Sequence, residues 1–189
     1  RQRGPARVFT NESAAIAAIK GLTGNPIKPG DVVVLIGGGP SGTGMEETYQ
    51  VTSALRYLPW GKTVAVLTDA RFSGVSTGGC IGHIGPEALA GGPIGRLRDG
   101  DLIEIEIDRL NLTGRVNFLG NADESSAEEA AAILATRPMH PALGPHPGLP
   151  DDTRLWAALQ RASGGVWHGC VYDADRIIAA IDAGLAVLN

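Results

Sequence analysis

The sequence predicts a mixed α/β domain: a compact sheet or barrel with flanking helices and a helical C-terminal tail. Three observations carry this. VVVLIGG (32–38) and VAVLT (64–68) are continuous apolar runs, which read as strands buried on both faces. LIEIEID (102–108) alternates strictly, which marks a half-exposed strand, and LTGRVNFL (112–119) can pair with it across a short loop. After Gly120 the chain turns rich in alanine and charge at helical spacing. The domain is therefore divided into a barrel-like body over 1–120 and a helical, proline-rich tail over 121–189 packed on it. Strands dominate the middle and helices the end, so regular βαβ units do not run throughout.

The remaining elements follow in order. ARVF (6–9) is a short strand. The helix at 13–20 has Asn11 or Ser13 as a cap and Gly21 as a stop. KPGD (28–31) turns the chain into the first buried run, and GGPSGTG leaves it as a loop. MEETYQVTSALRYL (45–58) is an amphipathic helix with Glu46 and Glu47 in its first turn, where carboxylates complement the helix dipole. PWGK turns into 64–68. Pro86 opens a helix over PEALA (86–90), since proline suits the first helical position. Beyond the two paired strands come a helix at 125–137, an irregular connector at 139–152, a helix at 153–163, a strand or turn over GGVWHGCV and a terminal helix at 173–188. No internal repeat is visible.

Composition narrows the function. The 189 residues suit one domain, with 43% hydrophobic and 19% charged residues. No apolar run approaches membrane length, and RQRGPARVF lacks the apolar region of a signal peptide. The absence of an initiator methionine points to a fragment or a processed chain. A net charge of −4 without a basic run argues against nucleic acid as a partner. Cys80 and Cys170 form no CxxC spacing, so they make neither a disulfide framework nor a metal knuckle, and a reducing cytoplasm is the default compartment. The 27 glycines bunch at 37–44, 74–85 and 91–100, where tight backbone or close ligand approach is expected.

Two stretches are candidate sites. In IGGGPSGTGMEE (36–47) a strand feeds a glycine-rich loop that opens a helix. Its amides can hold a carboxylate or phosphate, and Glu46 or Glu47 can offer an oxygen to a hard cation. The loop fits neither the P-loop nor GxGxxG, and a plain tight turn is the competing reading. In TDARFSGVSTGG (68–79) hydroxyls and bare backbone follow a strand end. Asp69 is a ligand, a cap or a turn former there, and Ser73 sits on a tight turn between Phe72 and Gly74. His83, His140, His146 and His168 have no second ligand at metal spacing and read as structural or surface residues. A stand-alone anion-binding module and an oligomerisation domain remain rivals to an enzyme.

Several motifs together resemble one family. GPARVF, IKPGDVVV, GGPSGTGMEE, TDARFSG, CIGHIGPEALAGGPIG and LRDGDLIEIEID, in this order, resemble the C-terminal domain of the dihydroxy-acid and phosphogluconate dehydratases over about residues 4–120. ESSAEEAAAILA, LPDDTRLWAALQ and GGVWHGCVYDADRI resemble its sugar-acid, xylonate dehydratase-type branch. The resemblance implies a swivelling β/β/α-type barrel and a hydro-lyase that converts a 2,3-dihydroxy acid into a 2-keto-3-deoxy acid. It implies an iron–sulfur cluster whose open iron takes the leaving hydroxyl, and Mg2+ that holds the substrate. On this likeness Ser73 is the base at C2 and Glu47 a metal ligand. Ser41, Gly42, Thr43, Arg71, Ser76 and Thr77 are substrate contacts. The family's cluster cysteines and remaining metal ligands lie in an N-terminal domain without counterpart here. The resemblance thus implies part of an enzyme, inactive alone, that works with that domain and a sugar acid as a homo-oligomer.

Overall fold

The two uninterrupted apolar runs lie side by side in a six-stranded sheet. The computed structural model describes residues 1–188. Its strands are β1 (Gln2–Phe9), β2 (Val32–Leu35), β3 (Glu47–Thr48), β4 (Ala65–Thr68), β5 (Arg71–Phe72), β6 (Gly79–Ile81), β7 (Asp101–Asp108) and β8 (Thr113–Asn121). Its helices are α1 (Glu12–Ile19), α2 (Pro40–Thr43), α3 (Gln50–Arg56), α4 (Ala127–Thr136), α5 (Asp151–Ala162) and α6 (Ala174–Leu188). The main sheet runs β6-β4-β2-β1-β7-β8 and curls into a half-barrel, as the mixed α/β expectation required. β3 and β5 form a separate two-stranded ribbon.

β1 joins two kinds of pairing. Its second half, Ala6 to Phe9, runs parallel to β2, while its first half, Gln2 to Pro5, runs antiparallel to β7. β4 and β6 extend the parallel side. Alternate residues serve two cores. Val33 and Val66 face α1 and α3, among Ala15, Ile19, Val51 and Leu55. Val32, Val34 and Leu67 face the hollow of the half-barrel, among Ile94, Leu97 and Ile103. Strands buried on both faces have no solvent-facing side to carry alternate polar residues, which is why these runs show no alternation.

The structure departs from the sequence reading at several elements. The helix expected from residue 45 starts only at Gln50. Met45 is left-handed, with φ of 67°, and Glu47–Thr48 is extended. Glu46 and Glu47 are therefore not in a helical first turn, and the dipole role falls away. The glycine loop contains the single turn of α2, and PEALA gives only a 3-10 turn at Ala88–Ala90, whereas GGVWHGCV takes the turn alternative as a 3-10 turn at Gly165–His168. β1 starts at Gln2 rather than residue 6, and β6 was not anticipated.

The tail is anchored side by side with the body. α4 opens with a reciprocal Ser126–Glu129 capping box. Arg96 and Arg98 donate to carbonyls of Leu134, Ala135, Arg137, Pro138 and Met139, which tie the end of α4 and the connector to the body. α5 packs on α2, and α6 packs on α5 with Ile178 and Ile181 exposed. Among the described residues no helix is long and apolar enough to cross a membrane.

Candidate active site

Loops leaving the carboxyl ends of β1, β2 and β4 converge at one edge of the parallel strands, the usual place for a ligand in an open α/β sheet. A cleft of about 210 Å3 lies there, bordered by Thr10 and Asn11 after β1, by Gly37 and Gly38 after β2, and by Glu46, Glu47 and Thr48. A larger hollow of about 660 Å3 lies at the β7–β8 hairpin, among Arg1, Asp108 and Arg115, and no candidate residue borders it.

The glycine loop is held from within. Asp69, 1% exposed at the end of β4, accepts from the amides of Gly37 at 3.2 Å, Gly38 at 2.9 Å and Ala88 at 2.9 Å. Glu87, 2% exposed, accepts from the amide of Ser41 with both oxygens, at 3.1 and 3.0 Å. Burial pushes the Asp69 carboxyl up from its ordinary value, and the three amides pull it back. Burial also raises Glu87; the Ser41 contacts oppose this and the charge of Asp69 adds to it. The amides of Gly42, Thr43, Gly44 and Met45 close on carbonyls inside the loop. The cradle that the sequence suggested for an outside anion is thus taken up by the chain's own carboxylates and carbonyls.

Three of the expected substrate contacts belong to that framework. Ser41 is buried against Glu87. A Cβ on Gly42 would sit 1.8 Å from the Gly37 carbonyl oxygen, so only glycine fits there. Thr43 donates its hydroxyl to the Gly38 carbonyl at 2.8 Å and accepts from the Glu46 amide at 2.9 Å, and it also borders the cleft.

The β3–β5 ribbon brings the other candidates together. Glu47 is in register with Arg71 and Thr48 with Phe72. The Ser73 amide continues the ladder by donating to the Thr48 carbonyl at 3.2 Å, and Arg71 Nε donates to the Met45 carbonyl at 2.9 Å. Glu47 is exposed and borders the cleft, whereas Ser73, half-buried just past β5, and Arg71, Ser76 and Thr77 are not among the residues that line it. The Ser76 amide closes a turn on the Ser73 carbonyl at 2.9 Å, and the Ser76 hydroxyl is buried without a hydrogen-bond partner. Thr77 is exposed, and its carbonyl accepts the Cys80 thiol at 3.3 Å.

Among the described residues no group of three or more His, Cys, Asp or Glu is arranged to hold a metal ion. Cys80 and Cys170 are free thiols, too few for a three-cysteine cluster. Glu47 and Glu46 border the cleft and can offer carboxylate oxygens to a hard cation.

The sequence reading missed Glu87, taken only as part of a helix start, and the place of His146. The signal for Glu87 was weak: an acidic residue in a glycine-rich, apolar stretch, which has to be buried with partners. His146 borders the same cleft from the proline-rich connector, and its amide donates to the Gly42 carbonyl at 2.9 Å.

Comparison with known proteins places this geometry. The family described as dihydroxy-acid/6-phosphogluconate dehydratase C-terminal matches residues 1–142. D-xylonate dehydratase YagF of Escherichia coli K12 is 63% identical over 187 residues, which are 98% of this chain and 28% of that protein. D-xylonate dehydratase YjhG of the same organism is 64% identical over 182 residues, 95% of this chain and 27% of the relative. Dihydroxy-acid dehydratase 2 of Bordetella bronchiseptica is 40% identical over 169 residues, covering 89% of this chain. The chain spans little more than a quarter of the length of these relatives. By its matched residues it belongs to the dihydroxy-acid/6-phosphogluconate dehydratase family, as the C-terminal domain.

Proposed function

We propose that the chain is the catalytic C-terminal domain of a hydro-lyase that removes water from a sugar acid of the xylonate type, giving a 2-keto-3-deoxy acid. The observation that carries this is the β3–β5 pairing, which sets Glu47 opposite Arg71, two residues before Ser73, whose amide continues the ladder onto Thr48. Residues 1–120 form the catalytic body, and the residues from 121 onward pack on it. Ser73 takes the proton from C2, and the hydroxyl at C3 leaves as water. A serine hydroxyl is a weak base at its free pKa and needs an activating neighbour. Arg71, two residues before Ser73, supplies positive charge. Glu47 offers its carboxylate to Mg2+ at the acid end of the substrate. An iron–sulfur cluster, held by ligands from an N-terminal domain of the same enzyme, would supply Lewis acidity for the leaving hydroxyl. Ser41, Gly42 and Thr43 then shape the loop beside the substrate, and Ser76 and Thr77 close the turn that carries Ser73. We further infer a homo-oligomer working in the cytoplasm. The exposed Ile178 and Ile181 on α6 support the first, and the two free thiols the second.

The test is Ser73→Ala in the complete, anaerobically prepared enzyme. Loss of the base lowers kcat by about 10²–10⁴ while the fold is kept. A variant with near-normal kcat on D-xylonate would return Ser73 to a turn residue.

A further inference from the structure

The cleft has one wall that lies outside the matched family region. That match ends at residue 142, and both Gly144 and His146, from the proline-rich connector, border the cleft beyond it. The connector is held at several points here. The His140 amide donates to the Gly95 carbonyl at 2.7 Å, Leu143 packs into the half-barrel core, and the His146 amide donates to the Gly42 carbonyl at 2.9 Å. Pro145 and Pro147 flank His146 and restrict the backbone on both sides. The imidazole is oriented too, because Nδ1 accepts from the Gly148 amide at 3.1 Å. A ring nitrogen that accepts carries no proton, so the proton sits on Nε2. Nε2 makes no hydrogen bond among the described residues, and the ring is exposed at the cleft.

We propose that His146 is a specificity-determining residue, whose Nε2–H donates to a hydroxyl beyond C3 of a polyhydroxy acid bound in this cleft. This rests on the dehydratase reading. The connector brings to the cleft a donor that only a substrate with further hydroxyls can use. A branched aliphatic dihydroxy acid would leave that donor desolvated and unpaired, the kind of mismatch by which polar sites reject apolar analogues. Its prolines reduce the freedom lost when substrate binds.

The experiment compares the complete wild-type enzyme with His146→Ala and His146→Gln on D-xylonate and on a branched aliphatic 2,3-dihydroxy acid. His146→Ala should lower the sugar-acid to branched-acid ratio of kcat/KM about tenfold, chiefly through KM, and His146→Gln, which keeps a donor near Nε2, should restore most of it. A ratio within about twofold of wild type in His146→Ala, or equal damage in both variants, would overturn the proposal. If the wild type dehydrates neither acid, the reaction assigned above fails, and calorimetric titration with D-xylonate decides the subsite. Weaker binding to His146→Ala than to wild type upholds it; equal binding, or none to either, overturns it.

Discussion

Asp69 shows how much one side chain can organise. Three amide donors from two separate loops meet its two oxygens. Asn has nearly the same shape but only one acceptor oxygen, and its NH2 would face a backbone N–H. Asp69→Asn should therefore cost about 1–3 kcal/mol in urea unfolding, the usual cost of a buried donor left unpaired. A change below about 0.5 kcal/mol, the range of neutral surface substitutions, would mean that the loop re-forms its bonds elsewhere. Glu87 makes a pH prediction. Its folded-state pKa is raised, so the folded chain binds this proton more tightly than the unfolded chain. The stability it contributes is full below the ordinary carboxylate value and is lost as pH rises through the raised one. Melting curves across that window should show Glu87→Gln gaining on wild type with rising pH, and a constant difference would count against the buried charge. Asp69 was open to three readings in the sequence, ligand, cap or turn former. Its partners sit in Gly37, Gly38 and Ala88, and no local pattern announces an acceptor for distant amides.

At the scale of elements, the long buried strands were legible and the short ribbon was not. VVVL and AVLT declared themselves because both of their faces are covered. β3 and β5 have two residues each, too few to show any period, and Glu46 and Glu47 imitated a helix start. The misreading matters for function. On a helix, neighbours diverge by about 100° and could hardly share a site; in the structure both glutamates border the cleft. The register with Arg71 still singles out Glu47 as the one beside the Ser73 turn. In the complete enzyme Glu47→Gln should lower activity strongly and raise the Mg2+ needed for half-maximal rate, with Glu46→Gln doing less. Equal shifts in the two Mg2+ titrations would make the pair, rather than Glu47, the unit. β1 was read too short for a related reason. The backbone of Gln2 to Pro5 pairs with β7, which lies far off in the sequence, and a Cβ on Gly4 would sit 1.9 Å from the Gly30 carbonyl oxygen.

At the scale of the whole molecule, the core closes within the described residues, while the proposed cluster and most of its metal ligands belong to the N-terminal domain that the proposal invokes. Both hydrophobic clusters close within the described residues, whereas no metal-binding group of three does. Residues 1–189 expressed alone should unfold cooperatively, yet show no turnover of sugar acids after iron and sulfide are supplied. Robust turnover by this chain would contradict the division of labour with an N-terminal domain. The motifs made family and barrel-like body legible from sequence. The tail's contribution to the cleft was hidden, because a proline-rich connector has no period from which to read where it returns.

The divided pairing of β1 has a consequence for synthesis. Ala6 to Phe9 can find β2 within a short stretch of chain, but Gln2 to Pro5 must wait for β7, on the order of a hundred residues later. Until the ribosome has released β7, the parallel strands are an open-sided slab, with Val32, Val34 and Leu67 facing water on the side that the hollow will later cover. Pairings this distant in sequence slow folding and prolong that exposure. The hairpin of β7 and β8 is the piece whose arrival covers that face, so the order of synthesis makes it the last part of the half-barrel to close.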